Sequence, residues 1–342
     1  MRGKIKVAIL DTGIDASHEY LKNNIYEGIE FIWTEDDYIA ISNNYEDDNG
    51  HGTACASIIK NEFDNVEFTV IKVLDKYGRT NIQILEEALK MLIDKEIDII
   101  NLSLSVMKSE MVIDLYKICE ELSKKGKIIV CSLANGFDES YPAVFDNVIG
   151  VKGITLEDEQ YFWFNRSKKI QCIIDSKPYF NCHINNEYKL FGKCNSQAAA
   201  KFTGKIAKIL YENQNIDADN LYSILEQLAQ KTSWEDQDIN TSKRYPNYKQ
   251  DLYEKDNHIL IETANSVKEV LLIDKDDNSL YNCSLFNTHV GLTYSKCFGL
   301  IKNLEKKFNI KFKYMDISRD DLVSIYTLTE LVEKNMKREE AI

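Results

Sequence analysis

Short apolar runs alternate with segments of helical periodicity through the first two-thirds of the chain, and this alternation constrains the fold most. Residues 5–10 are an apolar run that stops at Asp11-Thr12-Gly13. Residues 51–60 carry Ala54, Ile58 and Ile59 at helical spacing, and residues 66–73 read as a strand. Ile82, Leu85, Ala88, Leu89 and Leu92 mark a helix over 82–93. Residues 97–104, 127–133 and 148–151 read as further strands. Strands separated by helical patterns predict an α/β fold, a parallel sheet with helices on its faces. Residues 196–212 predict an alanine-rich helix. Gly204 inside it costs helix stability, so it predicts a close packing contact.

Length and charge set the remaining bounds. The 342 residues are about two domains' worth, and 44% hydrophobic residues suffice to bury a core. A polar, weakly periodic stretch over 231–257 suggests domains at 1–235 and 259–342 joined by a linker at 236–258. The second domain reads as helical, with one stripe of Phe298, Ile301, Leu304 and Phe308 and another of Ile325, Leu328, Leu331 and Val332. A net charge of −13 opposes broad phosphate-backbone binding, so no nucleic-acid partner is expected. No apolar run is long enough to span a bilayer, so no membrane partner is expected either. The N-terminal apolar stretch breaks at Asp11, unlike a signal peptide, which points to a cytoplasmic location. None of the eight cysteines forms a C-x-x-C pair, and they read as free thiols in a reducing compartment. Cys172, Cys182 and His183 lack the close ligand pairs of a metal site.

Four places carry candidate chemistry. Asp11 ends the first strand, at the sheet edge where α/β proteins build their sites. Alone it is equally a turn or cap residue. An aspartic dyad would need a second Asp-Thr-Gly or Asp-Ser-Gly, which the chain lacks. His51 opens a helix between Gly50 and Gly52, where a lone histidine is commonly structural. Ser196 starts the alanine-rich helix, either as a cap or as a residue presented to a cleft beside free backbone N–H groups. Asn135 follows a buried strand, as an Asx turn or as an amide donor.

The order Asp…His…Ser resembles the subtilases, the subtilisin-like serine peptidases. The resemblance runs over residues 4–230: Asp11-Thr-Gly-Ile-Asp, His51-Gly-Thr-Ala-Cys-Ala-Ser, Ile99-Ile-Asn-Leu-Ser-Leu-Ser, Tyr141-Pro-Ala, and Cys194-Asn-Ser-Gln-Ala-Ala-Ala around the serine. It implies a subtilisin-like parallel sheet and an endopeptidase. Ser196 is then the nucleophile, forming an acyl-enzyme; His51 is the general base, and Asp11 its orienting carboxylate. Asn135 would donate to the oxyanion, and Ser103, Leu104, Ser105 and Ala134 would bind substrate. Ser105 and Ala134 stand where the family has glycine, which suggests a narrowed specificity pocket. Cys194 and Asn195 replace the family's Gly-Thr, and Ala200 its Pro. Asp11 lies ten residues from Met1, which leaves no room for the pro-domain of secreted relatives. Their acidic calcium loops are not recognisable, so no metal or other cofactor is expected.

Residues 259–336 resemble a degenerate acyl carrier protein. Tyr294 stands where carriers place the modified serine, with Ser295 one residue late and no preceding Asp. Such modules occur beside subtilases in bacteriocin-type peptide-maturation systems. The implied substrate is therefore a peptide or precursor peptide, with maturation-system proteins as partners of the C-terminal domain. A transpeptidase or macrocyclase would use the same acyl-enzyme, and a catalytically silent peptide-binding module is the non-enzymatic alternative.

Overall fold

The computed structural model describes residues 3–107, 112–213, 216–240, 257–274 and 279–339. In chain order the elements are β1 (Ile5–Asp11), β2 (Ile25–Trp33), β3 (Ile39–Ser42), α1 (His51–Glu62), β4 (Val66–Lys72), α2 (Ile82–Leu92), β5 (Ile99–Leu102), α3 (Ile113–Lys124) and β6 (Ile128–Ser132). Then follow β7 (Ile149–Ile154), β8 (Phe162–Phe164), β9 (Cys172–Asp175), β10 (Tyr179–His183), β11 (Glu187–Phe191), α4 (Asn195–Glu212), α5 (Ala218–Leu228) and α6 (Asp236–Asn240). Three longer helices close the chain: α7 (His258–Leu271), α8 (Tyr294–Phe308) and α9 (Ile325–Glu339). Contacts divide the chain into one unit of residues 1–177, 182–186 and 192–243, and a second of residues 178–181, 187–191 and 244–342.

The first unit is built on a nine-stranded sheet ordered β3-β2-β4-β1-β5-β6-β7-β9-β8. From β2 to β9 every neighbouring pair is parallel; β3 and β8 add antiparallel edges. This is the α/β fold expected from the alternation of strands and helices. Side chains alternate along β1. Ala8 and Leu10 join Leu85 and Leu89 of α2 and Leu115 and Leu122 of α3 in one core cluster. Each such buried leucine contributes about 1.5–3 kcal/mol. The opposite parity, ending at Asp11, faces α1 and α4. On that face the Thr203 hydroxyl of α4 donates to Asn101 Oδ1 of β5 at 2.8 Å. Gly204 lets α4 approach α1, because a Cβ there would lie 2.5 Å from Glu62 Cβ and 2.8 Å from the Ile59 carbonyl oxygen. The close packing expected of this glycine is therefore present.

The second unit packs α7, α8 and α9 around Leu260, Val267, Leu300, Ile301, Leu304, Leu328 and Val332. Its α8 stripe centres on Leu300, Ile301 and Leu304, with Phe298 and Phe308 only partly buried, because a buried helix face also takes in the intermediate position. Residues 178–181 and 187–191, from the middle of the chain, join this unit. Most of the expected 236–258 linker lies outside the described residues, and α6 occupies its start. Among the described residues no helix is long and apolar enough to cross a membrane, and no disulfide joins any of the eight cysteines.

Candidate active site

Four of the sequence-selected groups converge at the C-terminal ends of the central parallel strands. Asp11 is the last residue of β1 and is 1% exposed. Its backbone carbonyl accepts from Val73 and Leu74 N–H at 3.0 and 3.1 Å, which fixes the strand end. Its Oδ1 accepts the Thr12 N–H and meets His51 Nδ1, both at 2.7 Å. His51 is the first residue of α1. Gly52 brings this helix start against the Asp11 loop; a Cβ there would run into the Gly13 carbonyl oxygen.

The charge of this pair governs His51. Burial by itself would lower the imidazole pKa. The neighbouring Asp11 carboxylate and its hydrogen bond outweigh burial and hold His51 well above its ordinary 6.5. Cys55, one turn along α1, has its Sγ 3.9 Å from His51 Nδ1. Burial pushes the Cys55 thiol up to about 11, so it is protonated at neutral pH.

Ser196 is the second residue of α4 and is 8% exposed. Its hydroxyl donates to the Ser103 carbonyl oxygen at 3.3 Å. The helix start also brings its first backbone N–H groups to this end of the sheet. Cys194 is the N-cap residue, in extended conformation, and burial raises its thiol pKa. Asn135 follows β6 and is exposed. Its Oδ1 accepts the Asn195 N–H at 2.9 Å, which leaves the amide N–H₂ as a donor. Ser103, Leu104 and Ser105 follow β5 without a strand partner of their own up to the Val106–Tyr141 bridge. Ala134 is half-buried, its N–H bound to the Ser140 hydroxyl at 2.9 Å.

Two residues not selected from sequence hold these groups in place. Asn195 donates from Nδ2 to the Leu133 carbonyl and accepts the Gly153 N–H at Oδ1, both at 2.8 Å. It ties the start of α4 to the ends of β6 and β7. The buried Asp47 carboxylate accepts from the Thr12 hydroxyl at 2.9 Å, from Asn49 and Gly50 N–H at 2.9 and 2.8 Å, and from the Thr53 N–H and hydroxyl at 3.0 and 2.7 Å. The available signal was an acid just ahead of a helix start, where carboxylates satisfy free N–H groups. Among the described residues Cys172, Cys182 and His183 are not gathered into a metal-competent group.

Comparison with known proteins gives a consistent picture. The model described as the subtilase family matches residues 2–247. The major intracellular serine protease of Bacillus subtilis is 32% identical over 238 residues, covering 63% of this chain and 72% of that protein. An intracellular serine protease of Paenibacillus polymyxa is 28% identical over 225 residues, covering 61% and 67%. Among solved structures, sphericase aligns with a TM-score of 0.56 at 20% identity, over 66% of this chain and 83% of that one. A cold-adapted subtilisin-like serine proteinase aligns at 0.57 and 17% identity, over 71% and 87%.

Proposed function

Because the chain belongs to the subtilase family and is a subtilisin-like serine endopeptidase, we propose that Asp11, His51, Ser196 and Asn135 carry its chemistry. The supporting observation is the 2.7 Å contact between the buried Asp11 carboxylate and His51 Nδ1, on the sheet edge that also presents Ser196. With Nδ1 held by Asp11, the ring presents Nε2 to a reacting hydroxyl. Ser196 turns from the Ser103 carbonyl to Nε2 as substrate enters, loses its proton there and attacks the scissile carbonyl. Asp11 stabilises the resulting imidazolium, which then protonates the leaving amine. The Asn135 amide and the Ser196 backbone N–H stabilise the oxyanion. Water completes the cycle by releasing the acyl group from Ser196.

The substrate in this reading is an extended segment of a precursor peptide. Ser103-Leu104-Ser105 pairs with it as a strand, and Ala134 lines the pocket for the residue before the cut. The intracellular proteases among its relatives support a cytoplasmic place of action. The C-terminal unit, carrier-like in sequence and opening α8 at Tyr294, would dock the precursor or a protein of a bacteriocin-type maturation system. A fluorophosphonate probe should label the wild-type protein and not Ser196→Ala. Absence of labelling in folded wild-type protein would refute the nucleophile assignment.

A further inference from the structure

Gly153 of β7 faces α4, since a Cβ on it would lie 3.0 Å from Ala198 Cβ. Lys152 therefore points to the opposite face of the sheet, beside Ile173, its partner in register on β9. A cavity of about 580 Å³ lies on that face, within the size range of small-molecule sites. Every residue that lines it belongs to the first unit. Its inner wall is apolar: Leu133, Ile173 and Trp234 are buried, and Ile170 and Ile239 are half-buried. Its acidic residues, Asp138, Glu235 and Asp236, are all exposed and so lie toward solvent. Of its cations, Lys169 is engaged with Glu139, and Lys168 Nζ donates to the Trp234 carbonyl oxygen at 3.0 Å. Lys152 is half-buried, and its ion pair with Asp138 spans 4.0 Å to a fully exposed side chain. Water and salt screen so long and open a pair. The cavity thus offers an apolar wall and a weakly neutralised ammonium, with negative charge confined to its mouth.

We propose that this cavity binds a small monocarboxylate with an apolar tail, and that its occupation lowers turnover. The carboxylate pairs with Lys152, where the apolar surroundings strengthen the attraction, and the tail packs on Leu133, Ile173 and Trp234. The acids at the mouth repel ligands of higher negative charge. The C-terminal end of a released peptide and a short fatty acid share this chemistry. The main chain behind the cavity leads to the site. The Leu133 carbonyl accepts from Asn195 Nδ2, and the Gly153 N–H, in the peptide bond that follows Lys152, donates to Asn195 Oδ1, both at 2.8 Å. The Asn195 N–H in turn holds Asn135 Oδ1 at 2.9 Å. A ligand that packs on Leu133 and draws Lys152 into the cavity pulls both strand ends away from Asn195. The loss of turnover rests on the oxyanion role proposed for Asn135; the binding does not.

Titration calorimetry on the full-length Ser196→Ala protein, with octanoate and with acetyl-Ala-Leu as probes, should show one site for at least one of the two acids. The acid that binds more tightly identifies the source. Its neutral counterpart, octanol or acetyl-Ala-Leu amide, should bind at least tenfold more weakly. The same acid should lose at least tenfold in affinity for Ser196→Ala/Lys152→Gln. In the active enzyme that acid at saturation should lower kcat at least fivefold and leave KM unchanged. Binding of neither acid, equal affinity for acid and neutral counterpart, or unchanged affinity without Lys152 overturns the site. A raised KM, which would place the acid in the substrate cleft, or an unchanged kcat overturns the coupling. The comparison of acid with neutral counterpart needs no cavity variant to fold, and the calorimetry decides the site even for a chain without peptidase activity.

Discussion

The Thr12 hydroxyl donates to Asp47 Oδ1 at 2.9 Å while accepting the Gly52 N–H at 3.0 Å. The hydroxyl links the residue after Asp11 directly to the residue after His51 and anchors both on one buried carboxylate. The 2.7 Å Asp11–His51 contact is thereby set from behind, by groups that face away from the cleft.

Replacing Asp47 by alanine leaves the donors of Thr12, Asn49, Gly50 and Thr53 without their shared acceptor. A buried unsatisfied polar group costs about 1–3 kcal/mol. Partial relaxation and water entry should reduce the sum, so a loss of about 3 kcal/mol is expected in denaturant unfolding. Turnover should fall with it. Asp47→Ala with unchanged stability and turnover would remove Asp47 from this role.

The pH dependence follows from His51. Its pKa is held well above 6.5 by the Asp11 charge against the lowering effect of burial. A general base must be neutral, so kcat/KM should rise with pH along a limb centred above 6.5. An unperturbed imidazole would place that limb at roughly pH 6–7. In Asp11→Asn the raising charge is gone and burial remains, so the limb should move to lower pH. The residual turnover should be about 10⁴-fold lower. A profile flat across this range would count against His51 as the base.

Asn135→Ala should lower kcat by about 10²–10³-fold with little change in KM, as expected for a donor engaged mainly in the transition state. Asn195→Ala should produce a smaller loss of the same kind, because the Asn195 side chain, bound to Leu133 and Gly153, holds in place the backbone N–H that donates to Asn135 at 2.9 Å. Single-turnover kinetics on both variants and on the double variant test the coupling. Fully multiplicative losses would mean that Asn195 does not work through Asn135.

Gly204→Ala sets two effects against each other. Helix propensity favours alanine by about 1 kcal/mol. The added Cβ would sit 2.8 Å from the Ile59 carbonyl oxygen, a backbone atom that cannot swing aside. Overpacking of this kind costs about 1–3 kcal/mol, so net destabilisation and a lower Tm are expected. A raised Tm would show that α1 and α4 can separate freely.

In the proposed site Ser105 and Ala134 add side-chain atoms to the edges of the specificity pocket. A peptide library should therefore show cleavage after small residues such as Ala and Ser, with Phe and Leu disfavoured. Ser105→Gly/Ala134→Gly should relax that preference. A wild-type preference for Phe or Leu would contradict the narrowed pocket.

The parts legible in sequence share a physical cause. The strands at 5–10, 66–73 and 97–104 were readable because burial on both faces makes each a continuous apolar run, and the helix at 82–93 because it is buried on one face at a regular period. So were Asp11, His51 and Ser196, because each sits where a strand ends or a helix starts. The strand Ile25–Trp33 escaped notice because only Phe31 of it is fully buried, so its pattern is broken. Helix Ile113–Lys124 escaped notice because charged residues interrupt its short apolar face of Leu115, Ile118, Cys119 and Leu122. Asn195 was invisible as a positioning residue because its partners come from Leu133 and Gly153, which no local spacing brings together; Asp47 carried the local signal of an acid ahead of a helix start, but not its bond to Thr12. The departure at Asn195 from the family's threonine became intelligible only through those bonds.

The insertion of α4 into the face between β5, β6 and β7 has a consequence for biosynthesis. Asp11 and His51 can meet once the chain has passed β4, yet Ser196 and the Asn195 bond that holds Asn135 arrive only with α4. With the roles proposed for His51 and Ser196, a ribosome-bound chain that has not yet exposed this helix would hold a base without a nucleophile. The emerging chain would then stay inert toward its neighbours until α4 docks, and its ability to cleave would come with the helix that covers this face of the sheet.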